Sequence, residues 1–281
     1  RMAQTYFTMS RLYEALWMYW TIFLDYPEGK FAGDSCYAAF ALALQLQQDL
    51  KAREAGLHYL STYPEGKHWN DVSHQLAAQM VRAKDFPTAV EFTADVIAER
   101  PEHPEAATLH YLRGFSLFQL ERFSDAREEF EEVLRRYPSS ASAGPSQYWA
   151  GMTRLFEEQY DQAAAGFNRY LEKFPDGEFA EDARFRRAVC EFASERYEET
   201  VRRLAEFLQK YPHGPLSGEA HNLLGDSLGA IGRLDEAEKN YLLTPEKATR
   251  QSQVDHAYFQ LGKIYETQQR FEDMEKLFGL Y

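Results

Sequence analysis

Cysteine is nearly missing from this sequence of 281 residues, which has only Cys36 and Cys190. Two cysteines make no disulfide framework. The repeat register derived below sets them four hairpins apart. With helices packing about 8–10 Å apart, that separation exceeds the roughly 7 Å limit for a bridge, so both are expected as buried apolar thiols. Neither has a Cys or His at metal-ligand spacing. Long apolar runs are missing too: the most apolar early stretch, 15–24, ends at Asp25 and is too short for a membrane span. Alternating strand patterns bounded by turns are not found. Positive charge is in the minority, with 31 Lys+Arg against 44 Asp+Glu and a net charge of −13. That balance supplies no global basic stripe for nucleic acid. It fits solubility, or a preference for basic partners.

Catalytic patterns are also lacking. There is no His-Glu-x-x-His and no Ser nucleophile elbow. Gly225, Gly229 and Gly232 fall in a helix and its turn rather than between a strand and a helix, so tight packing explains them better than phosphate binding. The eight histidines are dispersed, and His103, between Glu102 and Pro104, is expected in solvent. The expectation is a protein that is not an enzyme, with no cofactor and no metal. The chain opens Arg1-Met2-Ala3 without a signal-peptide pattern. It begins inside a repeat and is expected to be a piece of a longer protein.

What is present is periodic. Pro27, Pro64, Pro101, Pro138, Pro175 and Pro212 are each 37 residues apart. Four of them are followed two residues later by Gly: Gly29, Gly66, Gly177 and Gly214. Proline cannot continue a helix and glycine suits a chain reversal, so each block marks a helix end. A second column on the same period reads Ala15, Ala52, Ala89, Ala126, Ala163, Thr200, Ala237 and Met274. Small residues there let a neighbouring helix approach closely. A third column reads Ala3, Phe40, Ala77, Gly114, Gly151, Ala188, Gly225 and Gly262. Mid-helix Gly costs about 1 kcal/mol against Ala, so its recurrence suggests a close crossing of two helices. A fourth column is mostly large, with Tyr19, Phe130, Phe167, Leu204, Tyr241 and Phe278, and with Gly56 and Thr93 departing from it.

Between the breaks the apolar spacing is helical. In 124–137 the apolar residues are Ala126, Phe130, Val133, Leu134 and Tyr137. Glu131 with Arg135, Glu132 with Arg136, and Glu198 and Glu199 with Arg202 and Arg203 form i,i+4 pairs. The acidic run Glu128-Glu129-Glu131-Glu132 reads as a solvated helix face. Each unit is therefore helix A, a turn, helix B and a break, with units near 1–32, 33–69, 70–106, 107–143, 144–180, 181–217, 218–254 and 255–281. One hairpin cannot bury its apolar face alone, so the units must stack, here as a single array over 1–281.

The stretch Glu219–Gly225 followed by Gly232-Arg233-Leu234-Asp235-Glu236-Ala237, and the stretch Ala257–Gly262, resemble the tetratricopeptide repeat (TPR). The likeness covers essentially the whole chain, is strongest from about 107 onward, and departs from the usual 34-residue period. Ser146–Gly151, Tyr160-Asp161-Gln162-Ala163 and Phe174-Pro175-Asp176-Gly177 resemble a subset from the bacterial envelope, the Tol-Pal accessory protein and the outer-membrane assembly lipoprotein. The resemblance implies an all-α, right-handed α-solenoid of about eight antiparallel hairpins. It implies a non-catalytic scaffold for a protein or peptide partner, in the envelope rather than the cytoplasm. It also implies that helix A lines a concave face, whose columns here give Tyr111, Phe115, Tyr148, Met152, Phe185, Val189, Asn222 and Asp226 as partner-binding candidates. Residues four apart share a helix face. Aromatic residues at these positions serve one of two ends, packing hairpin on hairpin or forming an apolar trough for a partner helix or extended peptide. Arg82, Arg113 and Arg154 on helix A suit a carboxylate, or snorkel from the packing face. Two other readings stay open: the substrate-recruiting arm of a larger enzyme, and a self-assembling stack joined through its apolar ends.

Overall fold

The computed structural model describes the backbone of residues 1–280; Tyr281 and the side chains of Phe278 and Leu280 lie outside the described residues. The apolar end at 278–281, and the place of Phe278 in the large column, are among them. The described residues form sixteen α-helices and no strand. They alternate as helix A and helix B of eight hairpins: α1 (Met2–Thr8) and α2 (Leu12–Asp25), α3 (Ala32–Gln45) and α4 (Asp49–Thr62), α5 (Trp69–Arg82) and α6 (Phe86–Glu99), α7 (Ala106–Gln119) and α8 (Phe123–Arg136). Then follow α9 (Ala143–Phe156) and α10 (Tyr160–Lys173), α11 (Ala180–Ala193) and α12 (Tyr197–Lys210), α13 (Ser217–Ala230) and α14 (Leu234–Lys247), α15 (Gln251–Thr267) and α16 (Phe271–Leu280).

The helices group into two compact units, 1–143 and 144–281, four hairpins each, divided where the 37-residue register starts its fifth repeat. In the first unit α3 packs on α5 and α5 on α7; in the second α11 packs on α13 and α13 on α15, so helix A stacks on helix A within each.

Each break follows from its proline. The residue before Pro is driven out of the helical region, and Tyr63, Tyr137, Phe174 and Tyr211 all take φ between −123 and −131. Helix B therefore ends at the residue before that. Where the Pro–x–Gly signal is replaced by Thr249-Arg250-Gln251, the next helix starts early, and α15 runs to 17 residues against the usual 14. Within each hairpin the turn from A to B places one residue at positive φ, near +58 for Ser10, Gln47, Lys84, Glu121, Glu158, Glu195 and Gln269, with glycine only at Gly232. The amide after it bonds back across the turn, as in Gln48 N–H to Ala43 O at 2.8 Å, which satisfies a carbonyl the helix end leaves open.

The small second column lies at the core: all six alanines and Thr200 are fully buried. The third and fourth columns prove to be one feature, because residues sixteen apart face each other across the hairpin. A Cβ at Gly114 would lie 2.8 Å from the Phe130 ring, at Gly151 2.9 Å from Phe167, and at Gly225 2.5 Å from Tyr241. In the second hairpin the sizes are exchanged: Phe40 is the large partner, and a Cβ on Gly56 would lie 3.0 Å from its ring. Gly56 is thus the reciprocal of the rule rather than an exception to it. Both cysteines are buried free thiols, and burial pushes each pKa up to about 12.

Two expectations need correction. His103 is buried, not in solvent. In the second and fifth hairpins the hydroxyls of Tyr59 and Tyr170 accept the amide N–H of His68 and Phe179, just ahead of the next helix A, at 3.2 and 3.0 Å. Gly66 and Gly177 leave room for those hydroxyls; a Cβ there would lie 2.5 and 2.6 Å away. In the third hairpin Val96 stands at the tyrosine position and His103 at the glycine position. The imidazole fills the vacated space: Nδ1 accepts the Glu105 amide at 2.9 Å, and Nε2–H faces Ser73 Oγ at 3.1 Å. The second correction concerns Glu129, which is not a solvated member of its acidic run. It is largely buried between His110 Nδ1 at 2.7 Å and Arg113 Nη1 at 2.6 Å.

Candidate functional site

The eight candidate residues on helix A divide into two groups. Tyr111 and Phe115 are half-buried on one face of α7, ring centroids 6.3 Å apart, and Phe115 also meets Phe86 edge-on at 6.3 Å. Val189 of α11 and Asp226 of α13 are half-buried as well. The other four are buried. Phe185 is 1% exposed and packs on Phe207 within the core of the second unit. Met152 is buried in α9. Asn222 is spent on its neighbours, its Nδ2 donating to Gln253 O at 2.8 Å and its Oδ1 accepting from Thr244 Oγ1 at 2.8 Å.

Tyr148 explains why an aromatic at this position turns inward. Its ring stacks on Phe179 at 4.4 Å and 9°, and its hydroxyl donates to Asp182 in the next helix A. Tyr37 does the same in the first unit, stacking on His68 at 3.7 Å and 3° and donating to Asp71 at 2.8 Å. Burial and the carboxylate push the Tyr37 pKa up to about 12 and that of Tyr148 further in the same direction. The signal was in the sequence: Tyr, then an aromatic ring 31 residues on, then Asp 34 residues on, in both places. These tyrosines clamp one hairpin to the next.

Accessible space on the helix A faces lies elsewhere along the same columns. In the second unit a groove of about 490 Å³ is lined by Phe192, Asp226, Tyr241, Gln260, Lys263 and Thr267. Asp226 is its fixed anion: Tyr241 Oη donates to Oδ1 at 2.7 Å, and His256 Nε2 lies 2.9 and 3.0 Å from the two oxygens. That bond raises the His256 pKa above its ordinary value. In the first unit a polar groove of about 640 Å³ is lined by Gln45, Asp49, His74, Gln75, Ala78 and Arg82. Phe192, Gln260 and Gln75 were not singled out from sequence. Phe192 stands seven residues beyond Phe185, two helical turns along the same stripe.

Among the described residues no group of three or more His, Cys, Asp or Glu is arranged to hold a metal ion, and no helix is long and apolar enough to cross a membrane. Stacked, proline-punctuated hairpins with grooves along helix A define a TPR-type repeat protein. The likeness to solved structures agrees. A tetratricopeptide repeat protein from Parabacteroides merdae ATCC 43184 aligns over 91% of this chain and 94% of its own, at 14% identity and TM-score 0.55. YrrB, described as a TPR protein with an unusual peptide-binding site, covers 70% of this chain and 95% of its own, at 19% identity and TM-score 0.56. MamA from Desulfovibrio magneticus RS-1 covers 64% and 95%, at 15% identity and TM-score 0.55. These identities show the fold alone. No curated protein sequence matches the chain. The YfiO family model, described as outer membrane lipoprotein, matches residues 32–144 and again 141–277. The chain belongs to that family.

Proposed function

We propose that this chain is a non-catalytic adaptor of the bacterial cell envelope that holds a protein or peptide partner against its helix A faces. Family membership supports the envelope setting. The observation that carries the binding site is the groove over α13 and α15, where an apolar wall (Phe192), an anchored anion (Asp226), an amide (Gln260) and a cation (Lys263) converge. Few, fixed polar groups beside apolar surface are what orient a bound chain. Half-buried Val189, on helix A of the sixth hairpin, adds an apolar contact within the second unit, and half-buried Tyr111 and Phe115 offer apolar contacts on α7 in the first unit. Tyr148, Met152, Phe185 and Asn222 contribute through packing, since burial withdraws their side chains from a partner.

The test is photocrosslinking in envelope extracts with the crosslinker placed at Gln260. Capture of one protein that is lost when Lys263→Glu is added, at unchanged helicity, supports the reading. Equal capture with and without Lys263→Glu, or no capture, overturns it.

A further inference from the structure

Three large apolar side chains of α2 are exposed in one line: Tyr13 at 62%, Trp17 at 61% and Leu24 at 49%. Half-buried Trp20 lies between the last two. Spacings of four, three and four residues put all four on one face of the helix. From 13 to 24 the stripe rises roughly 16 Å. Standing in the first hairpin does not account for this exposure. α4, α6, α12 and α14 are each flanked by hairpins of their own unit. In all four the columns of Tyr13, Trp17 and Leu24 are still exposed. Stacking leaves these columns open, and elsewhere they are mostly polar or small. The Trp17 column, for example, continues as Glu54, Glu91, Arg202 and Lys239 on those helices.

The surface continues onto the next helix B. Leu50 and Leu57, both exposed, stand in the Tyr13 and Trp20 columns of α4, whose His58 ring lies 5.2 Å from Phe23 of α2. A contiguous apolar patch of this kind marks an interaction surface. Its pattern says what covers it. Positions 13 and 24 share a midpoint with positions 17 and 20, so the spacing reads the same in both directions. Two copies of α2 packed antiparallel about a two-fold axis set Tyr13 against Leu24 and Trp17 against Trp20, twice over, as an isologous contact requires. The charges agree. Asp25 has no ion pair among the described residues, and the same register brings it beside Arg11 of the second copy, which is paired with Glu14 at 2.7 Å. A lipid surface fits less well, because interfacial helices carry Lys and Arg on the polar face, whereas α2 has Glu14 and Asp25 and no basic residue.

We propose that the stripe of Tyr13, Trp17, Trp20 and Leu24 is a self-association surface, through which two copies of this chain pair antiparallel along α2. The contact lies on a helix B face and not on the ends of the array. It shares no residue with the groove over α13 and α15 and does not depend on the function proposed above. One helix pair with its rim is small beside the roughly 800 Å² per partner of a standard interface, so a dimer in the micromolar range is expected.

The experiment is sedimentation equilibrium of the chain beside Trp17→Glu, which installs the residue type of Glu54 and Glu91 and so leaves the fold intact by circular dichroism. A monomer–dimer equilibrium is expected, weakened at least about thirtyfold by Trp17→Glu, as for the loss of a tryptophan hot spot. The register is read with a short bismaleimide. A mixture of Tyr13→Cys and Leu24→Cys chains should crosslink across the 8–10 Å between packed helices, whereas Tyr13→Cys alone should not, its two thiols being offset by roughly 16 Å along the pair. Cys36 and Cys190, both buried, do not compete. A monomer at all concentrations up to about 0.3 mM, a dimer untouched by Trp17→Glu, or crosslinking of Tyr13→Cys alone would each overturn the proposal. So would flotation of a still monomeric chain with phosphatidylethanolamine–phosphatidylglycerol vesicles that Trp17→Glu abolishes, which would assign the stripe to lipid.

Discussion

At the scale of single residues, pairs sixteen apart decide how closely helix A and helix B approach. Gly151 faces Phe167 so tightly that a Cβ would lie 2.9 Å from its ring. Gly151→Ala should destabilise by roughly 1–3 kcal/mol through overpacking, and Phe167→Ala by roughly 3–5 kcal/mol through the cavity it leaves. Because the two residues touch, their effects are coupled. Combining Gly151→Ala with Phe167→Ala should lose less than the sum, measured by chemical denaturation. Additive losses would show that the pair is not the contact that sets the crossing.

Two histidines should respond to pH with opposite signs. Burial lowers the His103 pKa, and its Nδ1 must stay unprotonated to accept the Glu105 amide. Its contribution is therefore full above the unfolded value near 6.5 and is lost as pH falls through the lower folded value. Asp226 raises the His256 pKa, so that contribution is full below about 6.5 and is lost as pH rises through the higher folded value. An NMR titration should place the two on opposite sides of the ordinary histidine value, and the reverse order would refute both assignments.

At the scale of elements, the turn between helix A and helix B carries a built-in strain. Six of these turns in α3–α12 and α15–α16 place a non-glycine residue near φ +58, where only Gly232 in the seventh has the favoured residue. The left-handed conformation costs a residue with a Cβ about 1–2 kcal/mol, partly offset by the extra freedom glycine adds to the unfolded chain. Glu158→Gly should therefore raise stability by about 0.5–1 kcal/mol, read as a shift in denaturation midpoint at constant slope. The elements themselves were legible in the sequence, since proline and small-residue columns constrain the backbone directly. The left-handed turn residues were not, because Gln, Lys and Glu at that position give no glycine signal.

The candidate site was legible only in part, and the reason also lies in how elements meet. A helix A column shows which residues share a face, but not whether the next hairpin supplies an Asp and a ring to hold them. Tyr148 is held by Asp182 and Phe179, whereas Asp226 stays at a groove wall. Likewise, His103 looked exposed because the break around it is polar; its burial depends on Val96, seven residues earlier, being too short to fill the space that Tyr59 and Tyr170 fill in their hairpins.

At the scale of the whole molecule, stability in a repeat array is roughly a sum over repeats and their neighbour interfaces. Cys36 and Cys190 lie in different units, both fully buried, and each reports on its own neighbourhood. Alkylation of the two thiols under native conditions should be slow and limited by local opening; rates equal to those of the denatured chain would contradict their burial.

The adaptor reading makes its sharpest demand on which helices a partner covers. Hydrogen–deuterium exchange of this chain, alone and with the protein captured through Gln260, tests that demand most directly. Protection of α13 and α15, with α12 and α14 unchanged on their outer faces, is the result the account predicts. Protection confined to helix B segments would place the partner on the opposite side of the hairpins and contradict the account.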